Sequence, residues 1–325
     1  VALNPDLGQI YVANHDDDSL SVLDSDTYAV LDTAAVGDGP NGVAYHPGRE
    51  RIYIANSRDN TVTVLRASDR QLVATIPVGS QPNGIAVNAA LDVVYVANFG
   101  DGTVSLIDAE HNTVRTVDVG AEPSMIAVNP VTDKAYVSLH GEGKVAVVDG
   151  AGEVSTVGIH DSSGSYGIAV DPVRNLVYVA TIDTARIVAI EGDAYKGWAQ
   201  IKRLPGAQPV PLRMIAMNPD IGSSGHIFAT TAGSDGGWDK FLLLAKGWPE
   251  FFARPYALDL EEPREGIAFD PAERLVYVTS RAGNQLVVYE DGEPACATNF
   301  LAPARLQLEV CVAGPDGRCK ETILR

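Results

Sequence analysis

One block of sequence recurs along this chain of 325 residues and constrains its fold more than any other feature. Each copy begins with a short apolar segment that ends at an Asn-Pro or Asp-Pro step or a variant of it. The seven copies begin at Val1, Val43, Ile85, Ile126, Ile168, Ile215 and Ile267. A period of roughly 40–45 residues is typical of units that stack because none can bury its apolar face alone.

Four segments in each copy alternate apolar and polar residues, which is the period of a β-strand. In the second copy they are residues 43–46, 52–56, 61–65 and 73–78. Four antiparallel strands make a small sheet, and radial stacking of such sheets buries both faces without leaving an open end. The sequence therefore predicts an all-β, seven-bladed β-propeller of four-stranded antiparallel blades over residues 1–293. A linear solenoid would need capping repeats, and none is evident.

Residues 294–325 form a short tail outside the repeat, and the tail holds Cys296, Cys311 and Cys319. Alternation at 305–310 and a turn signal at 314–317 predict β structure. We expect the tail either to supply the outer strand of the last blade or to form a β-hairpin leading to another module. Cysteines confined to a tail predict an exported protein with one disulfide among these three residues, whose pairing stays open. Three reduced thiols are the alternative.

The chain carries a net charge of −18, which opposes binding to phosphate backbones. No run of 18 or more apolar residues occurs, so no membrane-spanning helix is predicted. We therefore expect neither nucleic-acid binding nor membrane insertion.

The second segment of the repeat resembles the motif of the YVTN-type β-propellers. The copies read Tyr11-Val12-Ala13-Asn14, Tyr53-Ile54-Ala55-Asn56, Tyr95-Val96-Ala97-Asn98, Tyr136-Val137-Ser138, Tyr178-Val179-Ala180-Thr181 and Tyr277-Val278-Thr279-Ser280. The sixth copy departs from the pattern, with Phe228 in place of tyrosine. The resemblance covers roughly residues 1–290 and implies a prokaryotic protein that is extracellular, at the cell surface or periplasmic. It implies no single activity, because propellers host many functions.

A propeller lines its axis with the first strand of every blade, so the residue just before that strand faces the channel mouth. Aligned copies place polar side chains there, namely Asn41, Asn83, Ser124, Tyr166, Arg213 and Glu265. They predict either a polar ring around a small-molecule pocket or simply solvated strand entries. In an enzyme, Arg213 could stabilise an oxyanion, Glu265 could act as a base, and Tyr166 could stack on a ring-shaped ligand.

The longest insertions lie in the fifth and sixth copies, which carry all three tryptophans. Insertions in repeat proteins map to loops and often to binding faces. Aromatic residues are enriched at the energetic centres of protein interfaces. The partner-binding candidates are therefore Trp238, Trp248, Phe251 and Phe252. Packing of these residues between blades is the alternative.

No metal site or cofactor is predicted. The six histidines occupy different positions of the repeat and show no ligand spacing. The acidic run 16–18 lacks the spaced ligands of a calcium loop and is predicted to be a solvated hairpin turn. Neither a phosphate-binding glycine loop nor a haem attachment motif occurs.

The sequence shows no set of residues typical of a catalytic site. It therefore favours a non-catalytic binding or scaffold propeller, on the cell surface or secreted, that mediates protein–protein interaction. The alternative is a small-molecule enzyme of the lactonase or lyase type with its site at the mouth of the central channel.

Overall fold

The computed structural model describes residues 1–159, 164–183, 186–192, 194–200, 212–218, 226–231, 239–245, 256–260, 266–271, 273–280, 285–290, 293–300, 307–313 and 319–324. The described residues form thirty β-strands and a single 3₁₀ turn, Pro47–Arg49. The all-β prediction is confirmed. No helix within these ranges is long and apolar enough to cross a membrane.

The described strands form seven antiparallel sheets, each called a blade below. The first four blades comprise β1 (Ala2–Asn4), β2 (Gln9–Asn14), β3 (Ser19–Asp24) and β4 (Val30–Ala35); β5 (Pro40–His46), β6 (Arg51–Asn56), β7 (Thr61–Arg66) and β8 (Leu72–Pro77); β9 (Pro82–Asn88), β10 (Val93–Asn98), β11 (Thr103–Asp108) and β12 (Val114–Asp118); β13 (Pro123–Asn129), β14 (Lys134–Leu139), β15 (Lys144–Val148) and β16 (Val154–Gly158).

The other three blades comprise β17 (Ser165–Asp171), β18 (Leu176–Thr181), β19 (Arg186–Glu191) and β20 (Ala194–Gln200); β21 (Leu212–Asn218), β22 (His226–Thr231), β23 (Asp239–Ala245) and β24 (Tyr256–Leu260); β25 (Gly266–Asp270), β26 (Leu275–Ser280), β27 (Gln285–Glu290), β28 (Glu293–Phe300), β29 (Gln307–Ala313) and β30 (Cys319–Leu324).

The first strands of the blades surround a central axis. Each contacts the first strand of the next blade, in the order β1, β5, β9, β13, β17, β21 and β25, and β25 contacts β1 again. The fourth strands lie outermost and carry exposed apolar residues such as Leu31 and Leu72. This radial arrangement is that of a β-propeller.

The apolar core lies between neighbouring blades. Tyr11 and Val22 of the first blade pack with Ile52 and Ile54 of the second. Ile10, on the other face of the first blade, belongs to a cluster with residues of the last blade, including Tyr277 and Leu286. Packing between the first and last blades therefore closes the ring without a covalent link.

The asparagine that ends the second strand joins the second and third strands of a blade. The Asn56 side-chain amide donates to the hydroxyls of Thr61 and Thr63, at 3.0 and 2.9 Å. Asn14 and Asn98 make the equivalent pairs of bonds in the first and third blades. In the fourth blade Leu139 replaces the asparagine, and Lys144 and Ala146 replace the two hydroxyl residues. In the first three blades the second and third strands are thus joined by one side-chain hydrogen-bonded unit.

The side chain that ends the first strand of a blade connects consecutive blades. Asn88 donates to Asp133 at 3.1 Å, and Asn129 donates to Asn175 at 2.8 Å. His46 occupies this position in the second blade, is fully buried, and places Nε2 3.1 Å from Asp92 Oδ1. Burial lowers the His46 pKa, and the Asp92 carboxylate opposes that shift.

In the tail, β29 and β30 extend the last sheet beyond β28. The register places Cys296 opposite Cys311 and Cys319 opposite Ala313. The disulfide and the division of the chain at residue 293 stay predictions.

We expect Gly84→Ala to destabilise the protein by about 1–3 kcal/mol, the usual cost of overpacking. A Cβ at Gly84 would lie 2.5 Å from the Ser124 carbonyl oxygen and 2.8 Å from Met125 Cα, so two inner strands would have to separate. Gly158→Ala is the matched control, because a Cβ there meets nothing within 4 Å. Urea denaturation of both variants measures the difference; equal midpoints would contradict the close approach at the axis.

We expect His46→Asn to flatten the pH dependence of stability below pH 6.5. Because the folded-state pKa of His46 lies below the ordinary value of a histidine, the unfolded chain binds a proton first on acidification. Stability present above the unfolded pKa is therefore lost as pH falls towards the folded pKa. Asparagine has no such titration, and it occupies this position at Asn88. Between pH 7.0 and pH 5.0, the urea midpoint should fall further for the wild type than for the variant. An equal fall for both proteins would contradict this account.

Candidate functional site

The antiparallel register brings two positions of each repeat to one end of the ring, which we call the mouth. The start of each first strand pairs with the end of the second strand, as in Pro40 with Asn56, Pro82 with Asn98, and Pro123 with Leu139. A residue that follows the second strand therefore lies beside the residues that open the first strand. Phe99 and His140 reach the mouth in this way.

A cavity of about 640 Å³ lies at the mouth and extends from the second blade to the fifth. Its lining residues are mostly polar and include three aromatic rings: Asn41, Ser57, Arg58, Asn60, Ser80, Gln81, Asn83, Phe99, His140 and Tyr166. The volume falls in the range of small-molecule sites. Among these described lining residues there is no carboxylate, although the chain as a whole is strongly acidic.

Three rings and a guanidinium form a continuous row across the third to sixth blades, which we call the mouth row (Phe99, His140, Tyr166 and Arg213). The ring centres of Phe99 and His140 are 6.5 Å apart. The imidazole of His140 meets Tyr166 edge to face, at 5.9 Å between centres and 86° between planes. Arg213 Cζ lies 5.4 Å from the centre of the Tyr166 ring, within the range of a cation–π contact.

His140 brings a proton acceptor into the mouth row. Its ring lines the cavity, and its Nδ1 is buried with no hydrogen-bond partner among the described residues. A buried polar atom without a partner is unfavourable, so this nitrogen gains from a ligand or an ordered water. The backbone N–H of His140 donates to the Glu122 carbonyl at 3.0 Å, which fixes the start of its loop.

Asn41 and Asn83 join the second and third blades across the cavity rim. The Asn41 amide donates to Asn83 Oδ1 at 2.8 Å, and Asn83 is only 8% exposed. A buried, hydrogen-bonded amide has a defined orientation, so Asn83 presents a fixed polar edge to the cavity.

The structure brings together part of the predicted ring. Asn41, Asn83 and Tyr166 line the cavity, and Arg213 lies against Tyr166. Ser124 is not among the lining residues. It is fully buried, and its hydroxyl lies 2.9 Å from that of Ser138, which occupies the position held by alanine in the second and third blades.

Several predicted positions lie outside the described residues. They are Glu265, the proposed base of the ring, and the partner-binding candidates Trp238, Trp248, Phe251 and Phe252. Their roles stay predictions.

Sequence reasoning missed Phe99 and His140. His140 is one of six histidines at different positions of the repeat, so it did not stand out. The predicted ring included only the residue before each first strand. The missing signal was the antiparallel register, because the residue after the second strand must lie at the same end of the blade.

The acidic run 16–18 shapes a hairpin turn next to the mouth. Asp18 has a left-handed φ of 49°, and its Oδ1 accepts the N–H of Gly39 at 2.9 Å. Asn60, with a φ of 57°, accepts the N–H of Gln81 at 2.8 Å in the next blade. Within the described ranges, no group of three or more His, Cys, Asp or Glu side chains is placed to hold a metal ion.

Comparisons with known proteins support the fold and a coarse family relation. A family model described as the SMP-30/Gluconolactonase/LRE-like region matches residues 6–141, which is less than half of the chain. This segment includes Phe99 and His140 but not Tyr166 or Arg213. No curated protein sequence matches the chain.

Solved structures show the same architecture at low identity. A virginiamycin B lyase from Staphylococcus aureus is 12% identical with a TM-score of 0.72, covering 86% of this chain and 91% of its own. A streptogramin B lyase is 14% identical with a TM-score of 0.71, covering 86% and 89%. Kuenenia stuttgartiensis hydrazine synthase is 18% identical with a TM-score of 0.56, covering 89% and 75%.

At these identities the structures establish the fold alone, and the specific YVTN assignment stays a prediction. The chain is a β-propeller whose first part is similar to the SMP-30/gluconolactonase/LRE-like region.

Proposed function

We propose that the chain is a small-molecule enzyme that opens the ring of a cyclic ester at the mouth, as a lactonase or a lyase. The observation that carries the proposal is the mouth row, where an imidazole and a guanidinium lie 5.9 and 5.4 Å from the centre of one tyrosine ring, beside a cavity of small-molecule size. A proton acceptor and a fixed cation are the two groups that such a reaction requires.

The comparisons favour this alternative over a non-catalytic scaffold. The matched family description names a gluconolactonase, and two of the similar structures are lyases. Those activities belong to the proteins named, and they support a propeller that acts on small molecules. The protein-docking hypothesis rests on Trp248 and its neighbours, which lie outside the described residues, and no observation within the described ranges favours it.

His140 acts as the general base in either reaction. In hydrolysis the imidazole takes a proton from water, the water oxygen adds to the ester carbonyl carbon, and the ring C–O bond breaks as the leaving oxygen receives the proton. In elimination the imidazole takes a proton from carbon, a C=C bond forms, and the C–O bond breaks to release a carboxylate. The imidazole lines the cavity, and this position supports the assignment.

Arg213 stabilises the negative charge that develops on an ester oxygen in both reactions. A guanidinium held against an aromatic face is in position before the reaction and needs no reorganisation. None of the described lining residues is a carboxylate, so the described wall does not repel that charge.

We expect His140→Gln to lower kcat/KM for the best lactone in a panel by about 100-fold or more, the usual contribution of a general base. Arg213→Gln should cost about 100-fold through lost oxyanion stabilisation. His111→Gln is the matched control, because His111 lies in an exposed turn beside Asp108. Turnover in ¹⁸O-labelled water separates the two chemistries, since hydrolysis incorporates one labelled atom and elimination none.

Two results would contradict the proposal. One is a folded wild-type protein that turns over no lactone in the panel. The other is turnover that His140→Gln and His111→Gln affect equally.

A further inference from the structure

Tyr166 contacts both groups assigned to the chemistry. Its ring meets the imidazole of His140 edge to face, and the guanidinium of Arg213 lies over the same ring. The two groups come from different blades, since His140 follows β14 and Arg213 lies on β21. The ring of Tyr166, on β17 between these two strands, contacts both groups.

We propose that Tyr166 is a positioning residue whose aromatic ring, and not its hydroxyl, sets the spacing between His140 and Arg213. The inference rests on the proposed function and adds a positioning role for a third residue of the site. An aromatic ring has a negative face and a positive edge, so its face attracts a guanidinium while an imidazole packs at a defined angle. These contacts use the π system and leave the hydroxyl unused.

The backbone of Tyr166 is fixed on the side facing the fourth blade. The Ser138 hydroxyl lies within hydrogen-bond distance of the Tyr166 carbonyl oxygen. Ser138 is on β14, two residues before His140, so the same strand anchors Tyr166 and delivers the imidazole. The second and third blades have Ala55 and Ala97 at this position and cannot make the bond.

Gly167 permits the close approach on the side facing the sixth blade. A Cβ at Gly167 would lie 2.5 Å from the Arg213 carbonyl oxygen and 2.8 Å from the Ile215 nitrogen. Glycine therefore lets β21 pack directly against β17, and this approach carries the Arg213 side chain over the Tyr166 ring. Ser138 on one side and Gly167 on the other fix the position of the Tyr166 ring. Both functional groups contact this ring.

The test compares Tyr166→Leu, which removes the ring, with Tyr166→Phe, which removes only the hydroxyl. Tyr166→Leu should lower kcat at least tenfold with a smaller change in KM, because positioning acts on the chemical step. Tyr166→Phe should keep most of the wild-type kcat. Tyr45→Leu is the matched control, since Tyr45 is a partly buried ring on the first strand of the second blade and does not line the cavity.

An NMR measurement tests the positioning without any turnover. The imidazole resonances of His140, assigned with His140→Gln, should shift in Tyr166→Leu because the ring current of an edge-to-face neighbour disappears. They should stay close to the wild-type values in Tyr166→Phe and in Tyr45→Leu.

The outcomes distinguish the proposed reaction from the positioning role of Tyr166. If no lactone is turned over but the imidazole resonances respond as described, the proposed reaction fails and the positioning role stands. If Tyr166→Leu leaves the His140 resonances unchanged, the positioning role is overturned. If Tyr166→Phe is as damaging to kcat as Tyr166→Leu, the hydroxyl carries the function and the inference is overturned as well.

Discussion

Packing between neighbouring blades is the interaction on which this structure depends, because each four-stranded sheet has two apolar faces and cannot bury both alone. The second-strand tyrosines occupy the centre of that packing, and those of six blades are fully buried. The chain closes its ring through apolar contacts between the first and last blades, such as Ile10 and Tyr277 in one cluster.

The residues proposed for function lie at positions where the repeats differ. The residues that stabilise the fold lie at positions where the repeats agree. In the first three blades the inner positions repeat the same tyrosine, asparagine and hydroxyl residues, since each blade must satisfy the same packing and hydrogen bonds. The position after the second strand is free of those demands and holds His15, Ser57, Phe99 and His140 in successive blades. Three of these, Ser57, Phe99 and His140, line the shared cavity.

The strands, their order and the radial stacking could be predicted from the repeat, because period-two alternation and turn residues are local signals. Half of the mouth ring could also be predicted, since Asn41, Asn83 and Tyr166 line the cavity. Ser124 does not line the cavity; it is buried, and its hydroxyl pairs with that of Ser138 on the neighbouring strand. Phe99 and His140 required the strand register, which brings together residues that are distant in sequence, as with Pro123 and Leu139.

The central claim is that a cyclic ester binds in the cavity beside the imidazole and the guanidinium of the mouth row. The most direct measurement is a crystal structure of the protein soaked with lactam analogues of the lactone panel, which resist ring opening. The account predicts a lactam ring in the cavity against His140 and Tyr166, with its carbonyl oxygen towards Arg213. An empty mouth in every soak, or a lactam bound only elsewhere on the propeller, would contradict it.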